Sequence, residues 1–117
     1  MPIRVLDASV YHDNIQAMIE FERIEGFEWD AGNALKSVSK HGVTQAEAEQ
    51  IFFNAPLTVG SDAQHSRAEL RYHALGHTHA GRLLHITFTL RLHNTRIRVI
   101  SARAMHRKER AIYEKEA

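Results

Sequence analysis

The sequence predicts an α+β fold, with N-terminal helices, an antiparallel β-sheet meander and a C-terminal helix. Three observations carry this. Helix start and stop signals crowd between Asp30 and Pro56. From Glu69 onward, apolar and polar residues alternate in three successive stretches joined by short turns. The last dozen residues return to a charged, helical pattern. Strands joined by short turns must pair antiparallel, and a closing helix can cover one sheet face. At 117 residues the chain is expected to be one domain, 1–117, because smaller pieces could not bury a core without disulfides or metal, and it has no cysteine.

Residues 1–25 are read as an N-terminal extension. Ile15, Met18 and Ile19 are spaced for a short helix, although Glu20 to Ile24 also fits alternating strand. The core is placed at 26–113, and the segment before Gly26 is expected to be dispensable for it. Phe27-Glu28-Trp29 has the aromatic content of a short strand, and Asp30 can cap a helix over 31–41. That helix ends in Lys40-His41, cations suited to the negative end of its dipole, with Gly42 as the left-handed stop. Phe27 and Trp29 are expected to pack beneath it rather than to stack on a ligand.

Thr44-Gln45-Ala46-Glu47 is a capping box for a second helix over about 45–53, which Ala55-Pro56 ends. Leu57-Thr58-Val59 reads as a brief strand before a polar loop from Gly60 to Arg67. In the next strand Leu70, Tyr72 and Ala74 alternate with Arg71, His73 and Leu75, and Gly76 to Gly81 is expected to turn. Leu84, Ile86, Phe88, Leu90 and Leu92 then alternate with His85, Thr87, Thr89 and Arg91, so one face should be core and the other wet. His93-Asn94-Thr95 turns the chain. Ile97 and Val99 alternate with Arg96 and Arg98 until the pattern gives out at Ile100 to Ala102. Met105 to Glu116 forms the closing helix, with Met105, Glu109, Ile112 and Tyr113 near one side.

Net charge is only +1, but its distribution is uneven: acids are frequent up to Asn54, while Arg82 to Arg110 holds seven arginines and a lysine against Glu109 alone. Such a half could face a polyanion or be balanced by the acidic half. If the alternation holds, Arg71, His73, His85, Arg91, Arg96 and Arg98 share the polar sheet face. Cleaving RNA without metal needs a base for the 2′-hydroxyl, an acid for the leaving oxygen and cations over the charge building on phosphorus. Histidine and arginine supply these. Lys36, Lys40 and His41 recur at helical spacing as a second cationic stripe. His77 and His79 alternate like metal ligands beside His73, but a hydrolytic zinc site also needs fixed second partners, and no metal site is expected.

Gly26-Phe27-Glu28-Trp29-Asp30, Lys40-His41-Gly42-Val43 and Glu69-Leu70-Arg71-Tyr72 with Leu75-Gly76 resemble, in order, the landmarks of BrnT toxins. Gly81-Arg82-Leu83-Leu84, Phe88-Thr89-Leu90-Arg91, Ile97 to Arg103, Lys108-Glu109-Arg110 and Tyr113 extend the resemblance. It implies a RelE-like fold, metal-independent endonucleolytic cleavage of RNA that inhibits translation, and neutralisation by a ribbon-helix-helix, BrnA-like antitoxin that brings the pair to operator DNA. On this reading Arg71, His73, His85, Arg91 and Arg103 are catalytic, and Lys36, Lys40, His41, Arg96 and Arg98 bind RNA. No cofactor is needed. Absence of a long apolar run or a signal-peptide pattern makes a cytoplasmic location the expectation. A nonenzymatic toxin-like binding module and a metal-dependent hydrolase using His73, His77 and His79 are the alternatives.

Overall fold

The computed structural model describes residues 10–11, 19–34, 40–62, 64 and 68–116. Six strands form one sheet: β1 Val10–Tyr11, β2 Gly26–Phe27, β3 Thr58–Ser61, β4 Tyr72–His77, β5 Leu83–Arg91 and β6 Arg96–Ala104. Their order is β1-β3-β4-β5-β6-β2. The meander is the expected part: β3 to β6 pair antiparallel in sequence order. The two short edge strands add to it in parallel, β1 on β3 and β2 on β6.

Among the described residues, α1 spans Gln45–Gln50 and α2 spans Arg107–Glu116. The capping box of α1 is present, with Glu47 N donating to Thr44 Oγ1 at 3.1 Å and Thr44 N to Glu47 Oε1 at 3.0 Å. The chain then tightens to a 3-10 turn over Ile51–Phe53. Gly42 has φ +66°, the left-handed conformation expected of it. Asp30 closes a turn through Gly32 N at 2.8 Å, but residues 35–39, the middle of the expected helix over 31–41, lie outside the described residues. So does most of the helix expected before Gly26, where the described residues include a 3-10 turn, Phe21–Arg23.

Alternation puts Tyr72, Ala74, Leu84, Ile86, Phe88, Ile97, Val99 and Ala102 on one face, packed against Val43, Ala48, Ile51 and Phe52. Aromatic rings continue this core, with Phe52 and Phe88 edge-on at 5.2 Å between centroids and Phe27 tilted against Phe52 at 5.8 Å. Trp29 packs at its margin and donates Nε1–H to Glu49 at 2.7 Å, as a core residue rather than an open stacking platform. Of the segment before Gly26, expected to be dispensable for the core, Ile19, Phe21 and Ile24 are buried in this same core.

Two other expectations change. Gly76 does not begin the turn. It belongs to β4, where a Cβ would lie 2.9 Å from that of Ile51, so glycine is there for the close approach of the 3-10 turn. The reversal runs instead from Thr78 to Arg82, closed by Gly81 N donating to Thr78 O. The loss of alternation at Ile100 is a β-bulge: Thr87 pairs with Ser101 but Phe88 with Val99, leaving Ile100 as the extra residue. The bulge returns Ser101 and Arg103 to the polar face.

That face is also less wet than expected. Met105 and Tyr113 of the C-terminal segment pack with Leu75 and Leu83 on one end of it, and His85, Thr87 and Thr89 are buried. No helix among the described residues is long and apolar enough to cross a membrane.

Candidate active site

The register sets two rows of side chains across the polar face. Thr58, Leu75, His85 and Arg103 are successive partners on β3 to β6, and Gly60, His73, Thr87 and Ser101 form the next row. Neighbouring strands lie about 4.8 Å apart and the rows about 7 Å apart, so these residues are brought close without any loop having to hold them. With Asp62 and Arg71 beyond the second row, and Glu109 and Ile112 of α2 overhanging the first, they line a cleft of about 740 Å³.

Two imidazoles occupy its floor, His73 and His85, with ring centroids 4.8 Å apart. His73 is held on both sides. Its Nε2 is 3.3 Å from the buried Asp62 carboxylate, and its Nδ1 is 3.3 Å from Thr87 Oγ1. His85 is the more enclosed ring, with Nδ1 buried and no hydrogen-bond partner. Burial, reinforced by the Arg103 charge and only partly opposed by Glu109, pushes His85 down to about 4. The ring is therefore neutral at pH 7.

Arg103 lies beside it in a two-pronged pair with Glu109, at 2.8 and 2.9 Å. Burial alone would raise the Glu109 carboxyl, but hydrogen bonds from Arg103 and from His106 N, with the charges of His85 and Arg103, bring it down to about 2. His106 N donates to Glu109 Oε1 at 2.8 Å, so the same carboxylate also ties down the start of α2.

Of the catalytic candidates, the structure thus gathers Arg71, His73, His85 and Arg103, and leaves Arg91 out. Arg91 is six residues from His85 along β5, about 20 Å of extended strand, so one phosphate cannot meet both. Its guanidinium is engaged by Glu69 at 3.0 and 3.1 Å and by Glu28 at 3.5 Å. Arg98 is held by Glu28 at 2.9 Å and Asp30 at 3.0 Å, and Arg96 stands across the last rung from Arg91. Neither lines the cleft. The polar sheet face is therefore not one continuous cationic surface, because Glu28, Asp30 and Glu69 fold onto Arg91 and Arg98. Lys40 and His41 are exposed beside Gly42, away from the cleft lining, and Lys36 lies outside the described residues.

The three histidines of the metal alternative go to separate partners: His73 to Asp62, His77 Nδ1 to the Tyr113 hydroxyl at 2.7 Å, and His79 Nδ1 to Asn54 at 3.1 Å. Among the described residues, no three such side chains gather to hold an ion. Sequence reasoning missed Thr58 and Asp62, which share with Gly60 the β3 parity opposite to the core residue Val59, and did not place Glu109 in the site.

Fold and cleft together define a small α+β protein equipped for acid–base chemistry beside paired cations. The chain belongs to the family of BrnT ribonuclease toxins of type II toxin–antitoxin systems, whose family model matches residues 29–109. No curated protein matches it. The family is one of ribonuclease toxins, and a toxin of a type II system has a protein antitoxin as its partner.

Proposed function

We propose that this chain is a metal-independent endoribonuclease that inhibits translation by cutting RNA in the cleft lined by Arg71, His73, His85 and Arg103. The observation that carries the reading is the pair of imidazoles 4.8 Å apart on a floor flanked by two arginines. These groups suffice for the reaction. Arg71 and Arg103 bind the scissile phosphate, Arg103 exchanging its carboxylate partner for it. His85, uncharged at neutral pH, takes the proton from the 2′-hydroxyl, whose oxygen attacks phosphorus. The bond from phosphorus to the 5′ oxygen breaks, and His73, with Asp62 as counter-charge, protonates that oxygen. The products are a 2′,3′-cyclic phosphate and a free 5′-hydroxyl.

On this reading the BrnT core has a RelE-like fold and acts in the cytoplasm. A BrnA-like ribbon-helix-helix antitoxin silences it by covering the cleft and carries the complex to operator DNA. Arg98, neutralised in place by Glu28 and Asp30, offers such a partner little. The exposed Arg107, Lys108 and Arg110 of α2 offer more. The test is cleavage of a short RNA by purified protein in excess chelator, with the ends identified. Cyclic-phosphate ends support the proposal. Cleavage that disappears with chelator returns the metal alternative, and no cleavage under any condition returns the nonenzymatic binding module.

A further inference from the structure

We propose that Asp62 is a positioning residue of the ribonuclease site: it fixes the ring orientation and tautomer of His73 without touching RNA. Asp62 lies one residue past the end of β3, where its N–H donates to Arg71 O at 2.9 Å and prolongs the β3–β4 ladder by a rung. This registration keeps the inward parity of Thr58 and Gly60, so the carboxylate is delivered to the polar face beside β4. The residue directly across from His73 is Gly60, which brings no side chain to compete for the ring.

The two side chains differ in what can reach them. Both side chains line the cleft, but that of Asp62 is only 8% exposed whereas that of His73 is 38% exposed, so a polynucleotide entering the cleft meets the imidazole ahead of the carboxylate. Asp62 contacts Nε2 at 3.3 Å while Thr87 Oγ1 stands 3.3 Å from Nδ1, so the ring is clamped between an acceptor-only carboxylate and a hydroxyl that can donate or accept. A carboxylate can only accept, so the Nε2 proton is fixed toward Asp62. Nδ1 becomes the nitrogen that exchanges a proton with the substrate, Thr87 holding it in the interval. When Nδ1 is protonated, Asp62 balances the resulting charge at a buried position, where such a pair acts with less screening than at the surface.

Asp62's role presupposes the ribonuclease reading of the cleft, but the test has one arm that needs no RNA. In that arm, ¹⁵N shifts of the His73 ring in the full chain report which nitrogen carries the proton. The wild type shows the Nε2–H form, and Asp62→Ala shows a mixed or Nδ1–H population in a protein whose amide spectrum is otherwise preserved. In the second arm, cleavage by Asp62→Asn falls at least 10-fold in kcat with KM changed less than 3-fold, since the residue does not bind RNA. In a His73→Ala background the same Asp62→Asn change has no further effect on rate. If Asp62→Ala unfolds, Thr87→Val serves for the ring measurement, and the Nε2–H form persists there because Asp62 still holds it. An unaltered tautomer and unaltered kcat in folded Asp62 variants overturn the proposal. A tautomer that changes in a protein that never cleaves RNA upholds the Asp62–His73 coupling but overturns the ribonuclease role given to it.

Discussion

His85 shows how one side chain can link fold stability to the chemistry of the cleft. Burial, then the Arg103 charge, hold its ring at about 4, against 6.5 for an ordinary histidine. Between these values the unfolded chain takes up a proton that the folded chain refuses, so stability is full above pH 6.5 and is lost as pH falls toward 4. The loss is up to about 3 kcal/mol at 1.4 kcal/mol per pH unit. Urea unfolding followed from pH 7 to pH 4 should show this fall, and His85→Gln should flatten it. A variant with the parent's slope would assign the acid sensitivity elsewhere. Glu109 adds to the fall only at the acid end of this window, where the unfolded carboxyl takes up a proton around 4.5 that the folded one, held at about 2, refuses, so the slope between pH 7 and 5 is the part that isolates His85. Residue types on the polar face were legible from parity alone. Their environments were not, because burial of His85 depends on α2 folding back across the sheet, and nothing in the alternation specifies that.

Where local chemistry fixes an element, the sequence and the structure agree. The Thr44–Glu47 box, the Gly42 stop and the turn after Arg91 are settled by neighbours within a few residues. Thr44→Ala should accordingly cost about 1 kcal/mol in thermal or urea unfolding. Where an element depends on distant partners, the reading slips. Gly76 looks like a turn residue, yet it sits within β4 because the Ile51 turn approaches it, with a hypothetical Cβ contact of 2.9 Å. Gly76→Ala should therefore destabilise the fold by about 1–3 kcal/mol, the usual range for overpacking, and pairing it with Ile51→Val should recover little, because valine keeps the Cβ that the new methyl meets. A neutral Gly76→Ala would mean that the two elements are not pressed together. The bulge at Ile100 was visible only as a failure of alternation. Its consequence, that Arg103 joins His85 in one row, follows from the pairing with β5.

At the scale of the whole molecule, the acidic first half and the basic second half are two sides of one set of contacts. Glu47 meets Arg82, Glu28 meets Arg91 and Arg98, and Asp30 meets Arg98. Partly exposed pairs of this kind contribute little each, but they neutralise Arg82, Arg91 and Arg98 of the cationic half that composition suggested. Residues before Gly26 also enter the core: removing residues 1–25 takes Ile19, Phe21 and Ile24 from it and should abolish cooperative unfolding, with Phe21→Ala alone costing about 3–5 kcal/mol. The site was legible to the extent that its residues share a strand parity. Its boundaries were not, because the cleft's place on the sheet is set by Asp62 and α2, about 20 Å along β5 from Arg91. The most direct test of the account is therefore the cleavage rate of one RNA oligonucleotide, in excess chelator, by His85→Ala, Arg103→Ala and Arg91→Ala proteins shown to be folded. The first two should lose roughly 100-fold or more in kcat/KM and Arg91→Ala less than about 5-fold. Retained activity in His85→Ala and Arg103→Ala, with loss confined to Arg91→Ala, would contradict it and move the active site to the other end of β5.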